Sequence, residues 1–149
     1  RDFTLEVFEA LPEAKILVHG ISISPGKPTI LAQSGHTPLW GLPGQVTSAK
    51  VVFHVIVKPA LQCMGGQVDN ARERQPQVSA RLGRNLASVQ GREDFVRVRL
   101  IRREGHLWAE PVLGKSGLIH TMVKADGLVR IARDSEGLDE GTPVSVMLL

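Results

Sequence analysis

One change of texture limits what this chain can fold into. From Met64-Gly65-Gly66 to about Pro76 a polar, arginine-rich connection separates two kinds of sequence. Beyond it, Gly91, Gly105, Gly114, Gly127 and Gly141 cut the chain into pieces too short for helices. Residues 78–86, 95–101, 107–112, 118–123, 128–132 and 144–149 alternate or run apolar and read as strands, and many short strands without helices predict a small antiparallel barrel or sandwich. Before the connection, helical and strand periods are mixed. A chain of 149 residues accommodates two small units by the prior of roughly 150 residues per domain. The expected organisation is α/β plus all-β: residues 1–65 form an α/β unit, 66–76 a linker, and 77–149 a barrel.

In the first part, Phe3, Val7, Phe8 and Leu11 recur at helical spacing before Pro12, so residues 3–11 read as a short amphipathic helix with Asp2 at its N-cap. Residues 15–23 read as a strand that meets the turn Ser24-Pro25-Gly26, residues 29–33 as a second strand, and residues 38–44 as a third segment entering a tight turn. No turn residue interrupts residues 47–61 before Pro59, and Ala49, Val52, Phe53, Ile56 and Ala60 keep a helical stripe, so length favours a helix despite the β-branched residues. The sum is part of a layered sheet unit.

Composition removes several classes. The longest apolar stretch, Val51 to Val57, is broken by His54 and stopped by Lys58, far short of the roughly 18 to 20 residues of a membrane helix. The lone Cys63 cannot form an internal disulfide or a zinc ribbon and agrees with a reducing compartment, so a cytoplasmic location is expected. Beside Met64 it reads as a filler of a hydrophobic gap rather than a nucleophile. His19, His36, His54, His106 and His120 show no metal-ligand spacing. The net charge of +3 conceals nine arginines against three acids between Arg72 and Arg103, a cationic middle suited to an anionic ligand or partner. A nucleic-acid-binding barrel fits poorly, because there is no tyrosine and aromatics make up 4% of the chain, leaving few surfaces on which bases could stack.

Two segments could carry chemistry. Pro25-Gly26-Lys27-Pro28 is a rigid turn that fixes a cation at the mouth of a sheet, and Gly41-Leu42-Pro43-Gly44-Gln45 opens a helix whose first N–H groups, with Thr47 and Ser48 nearby, favour an anion. Together they make an oxyanion cradle; the alternative is that both are ordinary strand-to-turn punctuation and Lys27 is solvated. In the strand 95–101, Val96, Val98 and Leu100 share one face while Arg97 and Arg99 share the other.

His19-Gly20-Ile21 leading into Pro-Gly-Lys-Pro, then Gly-Leu-Pro-Gly-x-x-x-Ser-Ala and Lys58-Pro59-Ala60-Leu61, resembles the MoeA family of molybdopterin molybdenumtransferases. Gly91-Arg92-Glu93-Asp94-Phe95-Val96-Arg97, Lys115-Ser116-Gly117, Ala125-Asp126-Gly127-Leu128-Val129 and Gly141-Thr142-Pro143-Val144 resemble that family's C-terminal β-domain. The resemblance implies the end of a molybdopterin-binding α/β domain followed by that β-domain, within an enzyme that inserts molybdate into adenylylated molybdopterin with Mg²⁺. It implies a homodimer with its pterin in a cleft between the two domains, partly contributed by the other subunit, and it implies neither nucleic-acid nor membrane partners. Asp2, matching a family aspartate, and Lys27 are implied as catalytic, with Asp2 also a Mg²⁺ ligand. Gly26, Pro43, Gly44, Gln45, Ser48, Arg97 and Ser116 are implied as ligand-binding. The family has a glycine-rich segment before the aspartate that Asp2 matches, so the chain, which opens Arg1-Asp2-Phe3, is expected to be a piece of a longer protein and inactive alone. Ser24 stands where the family usually has Lys, and Gln45-Val46 where it has Asn-Pro, which leaves a non-catalytic binding or scaffolding module of the same ancestry as the alternative.

Overall fold

The computed structural model describes residues 2–67, 75–112, 114 and 123–149. A six-residue helix α1 (Thr4–Glu9) leads into strand β1 (Ala14–His19), which pairs antiparallel with β3 (Ile30–Ser34), itself paired with β4 (Thr37–Gly41). The helix is shorter than its apolar pattern, and its cap residue is Phe3 rather than Asp2. Asp2 still serves the helix from one residue further out, since its Oδ1 accepts the Thr4 N–H at 2.9 Å. The expected strand over 15–23 is two strands. Gly20 at φ +87 turns the chain out of the sheet, and β2 (Ile23–Ser24) belongs to a different sheet altogether.

The expected helix over 47–61 is present and longer. It runs as α2 (Val46–Val52), a π-helical turn (Phe53–Val57) and α3 (Lys58–Met64). Pro59, buried within it, has no N–H to donate and its ring crowds the carbonyl four residues back. The widened turn just before Pro59 accommodates that defect, and the helix runs through the proline as the expected span 47–61 requires. Cys63 near the end of α3 is exposed, not packed in an apolar gap.

Five strands then close on themselves: β5 (Gln77–Leu82), β7 (Glu93–Arg103), β8 (His106–Pro111), β9 (Gly127–Ile131) and β11 (Pro143–Leu148), in the order β7-β8-β5-β11-β9 and back to β7. This is the expected small barrel, with one seam, β5 to β8, parallel and the other four antiparallel. The expected strand over 78–86 divides, because the chain leaves the barrel at Gly83, where a Cβ would collide with the Glu110 carboxylate. It then forms β6 (Leu86–Ala87), paired with β10 (Gly137–Leu138), a strand the sequence pattern missed. The strand expected over 118–123 falls almost entirely outside the described residues.

A five-stranded barrel has a narrow interior, and its filling is correspondingly small: Ala80, Val98, Ala109, Val129 and Val146 form one buried cluster, and Leu82, Leu86 and Ile131 another. Each aliphatic side chain of valine size or larger buried there contributes on the order of 1.5–3 kcal/mol relative to exposure. A third cluster joins the barrel's outside to the helix, with Val51 buried against Phe95 and Leu128 and with Ile23 and Val55 packed beside them. Strand β2 adds to this junction by pairing parallel with β7, Ile23 opposite Glu93 and Ser24 opposite Asp94.

Candidate functional site

The loop from Gly20 to Thr29 is built by short-range hydrogen bonds. Gly20 N–H donates to the Thr29 carbonyl and Ile21 N–H to the Lys27 carbonyl, both at 2.9 Å. Thr29, with no exposed surface, donates its hydroxyl to the Gly26 carbonyl at 2.7 Å. Gly26 has φ +128, and a Cβ there would lie 2.7 Å from Val52 Cγ2 and 2.8 Å from Ile23 Cδ1. Only glycine lets the loop lie this close to the helix. With Gly26 buried and the Ser24–Pro25 peptide cis, the exposed Lys27 stands at the loop's outer turn.

The second wall is the entry to α2. The Gln45 carbonyl accepts the Ala49 N–H at 2.9 Å, which starts the helix, and the buried Ser48 donates its hydroxyl to Gln45 Oε1 at 3.5 Å. The third wall comes from the barrel. Gly91, at φ +94, makes the turn before β7 and donates its N–H to the Arg133 carbonyl at 2.8 Å, while Glu93 N–H donates to the Ser22 carbonyl at 2.9 Å. That last bond ties the barrel turn to the loop before β2.

These three walls enclose a cavity of about 570 Å³. Of the residues anticipated from sequence, Gly26, Lys27, Pro43, Gly44, Gln45 and Ser48 all line it. Arg97 does not. It borders a smaller recess of about 170 Å³ that shares Ser24 and Pro25 with the cavity, and it donates Nη2–H to the Gly114 carbonyl at 2.9 Å. Partial burial pushes the Arg97 guanidinium below its ordinary value, and the side chain is less exposed than strand alternation alone suggests. Asp2 borders neither space. Its exposed carboxylate is held below the usual range by the backbone and side chain of Thr4. Ser116 lies outside the described residues.

Sequence reasoning overlooked Arg92, which lines the same cavity as the Lys27 loop. Its Nε lies 2.9 Å from Asp94 Oδ1, its Nη2 donates to Asp94 Oδ2 at 3.3 Å, and Ser88 donates its hydroxyl to the same Oδ2 at 2.8 Å. The signal was present in the alternation of β7, where Asp94 falls on the buried face with Val96 and Val98 and therefore requires a charged or polar partner. Among the described residues bordering the cavity, Lys27 and Arg92 are the charged ones, and Asp94 behind Arg92 balances part of that charge. Such a space, lined by turns and by one unpaired cation, favours a small anionic ligand.

Fold and cavity together define a two-part protein, an α/β sheet and helix joined to a closed barrel with the cavity at the junction. The chain belongs to the MoeA family: residues 1–63 match the probable molybdopterin binding domain and residues 79–149 the MoeA C-terminal region, domain IV. Among curated relatives, a Methanocaldococcus jannaschii protein named for molybdopterin biosynthesis is 33% identical over the whole of this chain and 33% of its own length. The molybdopterin molybdenumtransferase of Bacillus subtilis is 28% identical over 99% of this chain and 34% of its own. A solved structure of the molybdopterin biosynthesis MoeA protein of Pyrococcus horikoshii superposes with a TM-score of 0.79 at 39% identity, covering 97% of this chain and 34% of that one. The chain thus spans about a third of the length of these relatives.

Proposed function

We propose that this chain is the part of a molybdopterin molybdenumtransferase that holds the anionic groups of adenylylated molybdopterin and molybdate during metal insertion. The observation that carries the reading is the convergence of the Pro25–Pro28 turn and the Pro43–Gln45 turn, distant in sequence, on one cationic cavity. Lys27 supplies a compact positive charge to a phosphate or molybdate oxygen, Gln45 an amide that both donates and accepts, and Ser48 a hydroxyl. Arg97, in the adjoining recess, and Ser116 complete the ligand contacts in this reading. It divides the chain into residues 1–65, a connection over 66–76, and the barrel from 77 to 149.

A cytoplasmic homodimer and a Mg²⁺ requirement belong to the same proposal and rest on family resemblance. Among the described residues no group of three or more His, Cys, Asp or Glu converges on a metal position, and Asp2, outside the cavity, already accepts the Thr4 N–H. Asp2 therefore offers Mg²⁺ a single carboxylate, and the described residues do not by themselves build a magnesium centre.

Titration of the chain with adenylylated molybdopterin tests the reading. Lys27→Ala removes an exposed charge-assisted contact, so affinity falls at least about tenfold, the equivalent of the roughly 1.5–3 kcal/mol such a hydrogen bond contributes. Thermal stability stays unchanged within about 0.5 kcal/mol, as for other exposed substitutions. Equal affinities for variant and wild type remove Lys27 from the site and the cavity from the proposal.

A further inference from the structure

The structure assigns Arg92 as a second ligand-binding cation of the junction cavity, oriented by Asp94, so that an oxyanion is gripped from both halves of the fold; this rests on the cavity being the ligand site. Three observations converge. The first is placement: Arg92 and Lys27 border the same cavity, one from the barrel turn and one from the loop before the helix. The second is orientation. Asp94 faces the Nε and Nη2 edge of the guanidinium and is itself fixed by the Ser88 hydroxyl. Asp94 is 7% exposed, whereas the Arg92 side chain keeps 43% of its surface. One edge of the planar fork is thus anchored in the protein, while Nη1 with its two N–H groups lies outside the ion pair. Anchoring a flexible side chain in this way reduces the entropy lost when it binds a ligand.

The third is the backbone beneath the pair. Asp94 stands opposite Ser24 in the β2–β7 pairing, and Ser22 and Ser24 border the same cavity as Lys27. The Arg92–Asp94 pair is therefore seated on the strand seam that joins the barrel to the loop carrying Lys27. An arginine serving only to neutralise a buried carboxylate has no need of a position at the rim of a cavity whose other charge is also positive. The ligand chemistry that suits Lys27 together with the outward Nη1 of an Arg92 whose charge is shared with Asp94 is a tetrahedral oxyanion group. A nucleotide phosphate and free molybdate share that chemistry.

The test titrates the full chain separately with AMP, inorganic pyrophosphate and molybdate, following heat of binding at two salt concentrations, for wild type, Lys27→Ala, Arg92→Ala, Arg92→Lys and Asp94→Asn. Arg92→Ala is expected to weaken the oxyanion that occupies the site at least tenfold and to flatten the salt dependence, as Lys27→Ala does. Arg92→Lys recovers part of the affinity through its charge. Asp94→Asn, a positioning change, weakens binding while leaving the arginine in place. The probe that loses affinity distinguishes a nucleotide phosphate from a free oxyanion. Melting temperatures accompany every variant, and Arg92→Lys keeps the test valid where Arg92→Ala folds poorly. If Lys27→Ala weakens binding while Arg92→Ala and Arg92→Lys bind as wild type, Arg92 merely neutralises Asp94 and the inference is overturned with the cavity reading intact. If no variant alters any probe, both are overturned.

Discussion

The barrel and the β1-β3-β4 sheet solve the problem of covering apolar surface in opposite ways. Within the barrel, closure from β9 back to β7 leaves no open edge between its five strands, and Leu82, Val98, Ala109, Ile131 and Val146 reach zero exposure. In the sheet, β1 is an edge strand with a register irregularity between Ile16 and Val18, and Leu17 remains 52% exposed. Phe3 and Val7 of α1 are likewise exposed. The buried apolar surface of the first part lies on the helix and the strand beside it, at Val51, Val52, Ile30 and Ala32, and Val51 packs against the barrel residues Phe95 and Leu128. The barrel fills its own interior and shares Phe95 and Leu128 of its outer face with the junction, whereas the helix of the first part buries Val51 there, beside the cavity. A site placed there responds to how the two parts are held together.

The sharpest way to break this comparison is a pair of truncations. Ile131→Ala empties a closed interior that cannot collapse and should cost about 2–5 kcal/mol, whereas Leu17→Ala on the open edge should stay within about 0.5 kcal/mol. Denaturant unfolding of both variants measures the contrast, and similar losses would show that the edge is as tightly packed as the barrel. Gly26→Ala tests the junction. Its methyl would press on Val52 and Ile23 in a backbone conformation that L-residues avoid, an overpacking loss of about 1–3 kcal/mol. Thermal melts should register that loss, and oxyanion binding should weaken with it because Lys27 is the next residue. Unchanged binding in a destabilised Gly26→Ala chain would separate the loop's packing from its ligand role.

The smallest effect is a pH dependence centred on the helix. Burial, then Lys58 and Lys50, hold the His54 ring below the ordinary histidine range. Below about pH 6.5 the unfolded chain takes up a proton that the folded one still resists, so this contribution is complete above that pH and is lost as pH falls through the lowered folded value. Melting temperatures recorded across that interval should fall more for wild type than for His54→Gln. Parallel curves would mean that His54 is as well solvated in the folded chain as in the unfolded one.

Much of this was legible residue by residue. The β7 alternation placed Val96, Val98 and Leu100 inward, the stripe from Ala49 to Ala60 announced the helix, and the Pro-Gly-Lys-Pro and Gly-Leu-Pro-Gly turns marked two cavity walls. Where local reading failed, a distant group was responsible. Residues 15–23 satisfy a strand pattern throughout, yet β2 leaves the sheet to pair with β7, a partner remote in sequence. Nothing local distinguishes Arg92 among the nine arginines of residues 72–103, because the buried Asp94 carboxylate and the Lys27 loop that define its place come from different contexts.

The periods, the turns and the change of texture lie in the residues themselves, because they follow from side-chain spacing and from the backbone limits of glycine and proline. Which strands close the barrel, that one seam is parallel, and that a barrel turn forms the third wall of the cavity come from long-range packing. Hydrophobic alternation specifies which face of a strand is buried but carries no information about its neighbour. Neighbours are selected by packing across the whole molecule, and in this chain that selection brings Arg92 and Lys27 to one cavity.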